Sequence, residues 1–122
     1  MNPIIKLVLI CLALVLPVQT MQSVHAEQGT DVVYERDVRP ILKAHCFHCH
    51  GEEGVKEGNL DLRLARFILA GGDSGPAVIS GAATDSVLIE RVSSGEMPPE
   101  DKNLSPLEIE TLKAWIDQGA QT

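Results

Sequence analysis

Aromatic side chains are nearly missing from this chain. One Trp, one Tyr and two Phe are spread over 122 residues. A core packed only from such material is poorly stocked for a small domain. Cysteine is as scarce, with only Cys11, Cys46 and Cys49. Two of these share one short motif, so the disulfide staples on which small exported domains usually rely are not available. Basic residues number 10 against 17 acidic ones, which argues against nucleic acid as a partner, because that needs a basic footprint. The apolar run Leu7 to Leu16 is only ten residues long, whereas a spanning helix needs about 20. No internal repeat and no low-complexity tract interrupts the chain.

The beginning of the chain has the layout of an export signal. Lys6 and the amino terminus supply positive charge, Leu7 to Leu16 the apolar stretch, and Pro17 breaks it. Val24-His25-Ala26 places short side chains at the two positions a signal peptidase reads. Residues 1–26 are therefore expected to be a secretory signal peptide, residues 27–32 a flexible leader and residues 33–120 the folded domain. The expected location is exported and periplasmic, without membrane insertion after cleavage; the alternative is an uncleaved N-terminal membrane anchor. Cleavage would leave 9 basic against 17 acidic side chains, a formal balance of −8. Such a surface keeps an exported protein soluble and permits docking to a basic partner.

The most informative run is Cys46-Phe47-His48-Cys49-His50. It is C-x-x-C-H, the pattern for covalent attachment of a c-type haem. Two thiols at this spacing can each bond one porphyrin vinyl group, and the histidine that follows is placed to ligate the iron. A buried porphyrin also supplies the apolar surface that the aromatics do not. Zinc is one rival, since His45, Cys46, His48, Cys49 and His50 crowd five donors into six residues. Structural zinc, however, draws tetrahedral ligands from separated pairs, and no second Cys/His cluster follows residue 26. A thioredoxin-like redox pair is the other rival. It needs a surrounding βαβ pattern and leaves His50 without a role.

A sixth iron ligand must come from elsewhere. Met97 is the one methionine beyond the signal segment, 47 residues after His50. It lies on a loop that Pro98 and Pro99 stiffen. A methionine can be mere core filler, but its loop position and flanking prolines favour ligation. A His/Met pair raises the reduction potential and fills both axial positions, as an electron carrier requires. His45 and His48 are expected to be partly exposed. Arg36, Arg39, Arg63 and Arg66 are candidates for haem propionates, with surface charge as the plainer reading. Asp73 and Ser74 form no hydrolase site, and the glycines around them let the backbone turn close to the porphyrin.

Local patterning predicts an all-α domain of three to four helices with long loops around one haem. Val33, Val38, Ile41 and Leu42 form a stripe for a helix near 34–45, with Pro40 forcing a later start at Asp37 or a kink. Gly51 to Gly58 reads as a turn. Residues 59–69 read as extended, then helical, stopping at Gly71-Gly72. Asp85 is placed to cap a helix to about Ser93, with Val87, Leu88 and Val92 as its buried face. Ser105, Pro106 and Glu108 form a capping box, with Leu104 and Ile109 placed for a hydrophobic staple. Ile109, Leu112, Trp115 and Ile116 make the stripe of that last helix, Gly119 ends it, and Trp115 is expected to pack on the first helix.

Taken in order, several blocks resemble the planctomycete-type cytochrome c domain. They are Asp37-Val38-Arg39-Pro40-Ile41-Leu42, Cys46-x-x-Cys49-His50-Gly51, Leu60-Asp61-Leu62-Arg63, Gly71 to Ala77, Ser86-Val87-Leu88-Ile89, Met97-Pro98-Pro99, and Leu104-Ser105 through Trp115 to Ala120. The likeness spans residues 33–120. It implies a monohaem c-type fold, with Cys46 and Cys49 as thioether sites, His50 as proximal ligand and Met97 as distal ligand. In that family the domain usually opens a much longer exported protein, so this chain is either a free carrier or a shortened form. The expected function is single-electron transfer through covalent haem c to an unidentified redox partner protein, without enzymatic activity of its own. The second reading is a haem-based ligand-binding or sensory module with a labile Met97.

Overall fold

The computed structural model describes residues 31–100 and 102–122; the expected signal peptide, residues 1–26, lies outside them, as do residues 27–30 of the expected leader. Among the described residues the α-helices are α1 (Arg39–His45), α2 (Ala65–Ala70), α3 (Val87–Ser93) and α4 (Pro106–Asp117). No strand occurs among the described residues, and their helical architecture is the all-α fold expected from the sequence. None of their helices is long and apolar enough to cross a membrane.

The first helical segment resolves the question Pro40 raised. Tyr34–Val38 is a widened π turn that runs directly into α1. At the junction the Arg39 N–H donates to the Tyr34 carbonyl, five residues back. Pro40 then takes one of the first two positions of α1, where its missing N–H costs little. The buried face begins at Tyr34, four residues before Val38 and eight before Leu42. Val33 is 39 % exposed, and Tyr34 is fully buried in its place, above Val38 and Leu42.

Tyr34 and Trp115 form the centre of the core, with ring centroids 5.4 Å apart and planes tilted by 42°. Trp115 thus packs on the first helical segment, as expected. Both polar ends are satisfied: Tyr34 Oη donates to the Leu62 carbonyl at 3.2 Å, and Trp115 Nε1 donates to the Gln121 carbonyl at 2.8 Å. Burial, reinforced by nearby Glu35, pushes the Tyr34 phenol up to about 12. Val32 also joins this region, packing on the core while its N–H donates to Gln118 Oε1 at 2.9 Å.

Helix α4 follows its sequence signature closely. Ser105 accepts from the Glu108 N–H, and the Glu108 carboxylate accepts from the Ser105 N–H in return. Leu104 and Ile109 both join the core. At the other end Gly119 N–H donates to the Ile116 carbonyl and Ala120 N–H to the Trp115 carbonyl. This double closure requires the left-handed φ of +102° at Gly119.

Helix α3 departs from expectation at its start. Its N-cap is Ser86, one residue after the expected Asp85, which ends a 3₁₀ turn. The Ser86 hydroxyl does not cap the helix. It is buried, donating to the Ala82 carbonyl and accepting from the Ile79 N–H, both at 2.9 Å. On α3 the buried residues are Leu88, Ile89 and Val92, whereas Val87 is 38 % exposed.

Candidate functional site

The attachment motif follows directly from the end of α1. Cys46 caps that helix, its N–H donating to the Leu42 carbonyl at 2.8 Å. Its own carbonyl accepts from the N–H groups of Cys49 (3.2 Å) and His50 (3.0 Å), which closes the motif into a tight turn. Phe47 points into the core and His48 to solvent. The turn is held from outside by two more backbone bonds: Glu57 N–H to the Cys49 carbonyl and Leu62 N–H to the His50 carbonyl, both 2.9 Å. Gly51 follows with φ +144°, and a Cβ there would lie 2.6 Å from the Arg63 side chain. That side chain is in turn fixed by Asp61, whose carboxylate accepts from Arg63 Nη2 at 2.7 Å. The Arg63 guanidinium holds the Asp61 carboxyl well below the usual carboxylate range.

Cys46, Cys49, His50 and Met97 all line one cavity of about 380 Å³. This is within the roughly 300–1,000 Å³ of small-molecule sites. The fold therefore closes the 47-residue separation between His50 and Met97. Leu42, Leu60, Leu62, Leu88 and Val92 supply apolar wall. The side chain of Val87, exposed on the protein surface, also faces this space, which explains why it is absent from the core of α3. Gly58, Gly72 and Gly75 form another part of the wall. A Cβ on Gly72 would come within 2.3 Å of the Gly58 carbonyl, so this wall is as thin as backbone permits. A separate open depression of about 410 Å³ is lined by Val32, Arg36, Asp37 and Thr111 and holds none of Cys46, Cys49, His50 and Met97.

The chemistry of the donors fits a covalently held haem better than either rival. Both thiols are free. Burial, with Cys49 adjacent, raises the Cys46 thiol to about 11, the opposite of the depressed value that a redox nucleophile needs. Among the described residues no three His, Cys, Asp or Glu side chains are grouped to hold a metal ion, whereas structural zinc takes four ligands. His50 Nδ1 is buried without a hydrogen-bond partner. Leaving such an atom unmatched costs about 1–3 kcal/mol, and an imidazole so left on a cavity wall is suited to a ligand.

Met97 is 37 % exposed and its segment is anchored by its N–H donating to the Arg91 carbonyl at 3.1 Å. The bond between Met97 and Pro98 is cis. His45 lines the cavity as well, but its Nε2 is engaged 3.0 Å from Glu108 Oε1. Ser74 lies on the wall, while Asp73 uses its N–H to bond the Gly58 carbonyl at 2.8 Å.

The four arginines follow the plainer of their two readings, surface charge. None of Arg36, Arg39, Arg63 or Arg66 lines the cavity. Arg36 pairs with Asp37, Arg39 with Glu35 and Arg63 with Asp61. Arg66 lies over the Phe67 ring, 4.8 Å from its centroid. Arg91 lines the cavity instead. The signal for it was its spacing: it follows Val87 by four residues and shares that face of α3.

Comparison with known proteins gives one informative match. No curated protein and no solved structure matches the chain. The family described as planctomycete cytochrome C matches residues 46–101, which run from the first cysteine of the motif past Met97. The stretch that holds the attachment motif and Met97 is thus similar to the planctomycete cytochrome C family, and that likeness points to a covalently bound haem c and an electron-transfer role.

Proposed function

We propose that this protein is an exported monohaem cytochrome c that passes single electrons to a redox partner protein and is not itself an enzyme. The observation that carries the reading is the meeting of both thiols, His50 and Met97 on one largely apolar cavity. In that cavity Cys46 and Cys49 would hold the haem through thioethers, and His50 and Met97 would bind its iron. Bound there, haem supplies a one-electron ferric/ferrous couple whose potential a thioether ligand raises. The protein's contribution is positional. The turn closed on the Cys46 carbonyl fixes both thiols and the His50 ring relative to one another. The Arg91 carbonyl anchors the Met97 segment, and the leucines of the wall exclude water. The acidic surface is compatible with a basic partner.

Replacing Met97 by Ala tests the assignment of the distal ligand. The haem is expected to remain covalently attached while the midpoint potential falls. An unchanged potential would remove Met97 from the site.

A further inference from the structure

A haem carries two carboxylates as well as an apolar ring. The cavity wall has two charged side chains of fixed sign, Glu57 and Arg91. A dianionic group held at Cys46 and Cys49 is repelled by the first and attracted by the second. The Arg91 side chain is 45 % exposed and pairs with Glu96, so it sits at the mouth of the cavity, where a carboxylate keeps part of its hydration. A guanidinium presents its donors in a fork matched to a carboxylate. It can release Glu96 for a second carboxylate at little cost, because exposed pairs are worth about 0–1 kcal/mol.

We infer that Arg91 binds a propionate of the haem at the mouth of this cavity. The inference rests on the proposed haem reading of Cys46, Cys49 and His50. It makes Arg91 a positioning residue for the far side of the site as well. Its guanidinium meets the carboxylate, and its carbonyl holds the Met97 N–H at 3.1 Å. One residue of α3 thereby couples the orientation of the cofactor to the segment that carries its proposed sixth ligand. Glu96 is the internal carboxylate that the propionate displaces.

The test uses the full chain with haem attached, as wild type and as R91Q, R91K and E96Q. The readout is the propionate bending band of the resonance Raman spectrum, whose frequency rises with hydrogen bonding to the carboxylate. R91Q is expected to shift the band down, R91K to shift it less, and E96Q to leave it in place or raise it. An unchanged band in R91Q would overturn the inference. So would an E96Q spectrum with the same downward shift as R91Q, which would mean that Arg91 only braces Glu96. Covalent haem in the wild type, measured beforehand on denatured protein, separates these outcomes from a failure of the haem reading. Its absence would overturn both.

Discussion

His45 Nε2 lies 3.0 Å from Glu108 Oε1, which joins the residue before the attachment motif to the first turn of the last helix. The other oxygen of the same carboxylate accepts from the Ser105 N–H at 2.7 Å and the Ser105 hydroxyl at 2.8 Å. One side chain therefore serves both the capping box and the cavity wall. Donation from Ser105, followed by His45, holds Glu108 below the usual carboxylate range. An ionised carboxylate only accepts, so His45 Nε2 carries the proton of this contact.

Glu108→Ala is expected to remove the carboxylate half of the capping box, keeping the bond from the residue-108 N–H to the Ser105 hydroxyl, and to leave His45 without its partner, at a cost of about 1 kcal/mol. Urea unfolding at neutral pH checks this, as a fall in the midpoint with an unchanged slope. Because the carboxyl is depressed in the folded state, its contribution is present above the unfolded value near 4.3 and is lost as pH falls through the folded value. The gap between wild type and variant should therefore narrow in acid.

Asp61 gives a second and stronger acid dependence. Arg63, assisted by Lys56 at 3.3 Å, lowers its carboxyl far below the ordinary range. Asp61→Asn is expected to destabilise the protein at neutral pH and to flatten the decline in stability below about pH 4. Unfolding midpoints collected between pH 7 and pH 2 measure both effects. Equal slopes in wild type and variant would show that this pair does not carry the acid sensitivity.

Much of this was legible in local chemistry, and the parts that were not, Tyr34 aside, share a cause. The C-x-x-C-H motif, the Ser105/Glu108 box and the Gly119 closure each depend on neighbours within a few residues, so sequence spacing specifies them. Tyr34 was left out of the stripe although it stands four residues before Val38 and eight before Leu42, the ordinary helical spacing, whereas Val33, five before Val38, falls off that face. The cap of α3 was placed at Asp85 because both Asp and Ser are good caps. The actual arrangement depends on Ile79 and Ala82, which claim the Ser86 hydroxyl. Arg91 was overlooked as a lining residue because the cavity it faces is formed by residues distant in sequence. The four arginines named instead are held by Asp37, Glu35, Asp61 and Phe67.

Gly72→Ala tests the thin glycine wall. The added methyl group would meet the Gly58 carbonyl at 2.3 Å, and overpacking of this kind costs about 1–3 kcal/mol. The expected result is a lower melting temperature together with less haem attached per chain. Unchanged haem loading would mean that the wall yields without closing the cavity.

Tyr34→Phe removes the donor to the Leu62 carbonyl while preserving the ring contact with Trp115. A loss of about 1 kcal/mol is expected from thermal or urea unfolding. In the wild type, ultraviolet titration should show the phenol still protonated at pH 11, since burial raises it to about 12.

The central claim is that Cys46, Cys49, His50 and Met97 hold one haem. The most direct measurement is the visible spectrum of the protein, exported from a host with a haem-attachment system, in both oxidation states and after denaturation. The account predicts haem that stays with the denatured chain and, in the folded ferric form, a far-red band of the Met–iron type. Covalent haem without that band would contradict the role of Met97 and favour a ligand-binding module. A chain that carries no haem, or loses it on denaturation, would contradict the account as a whole.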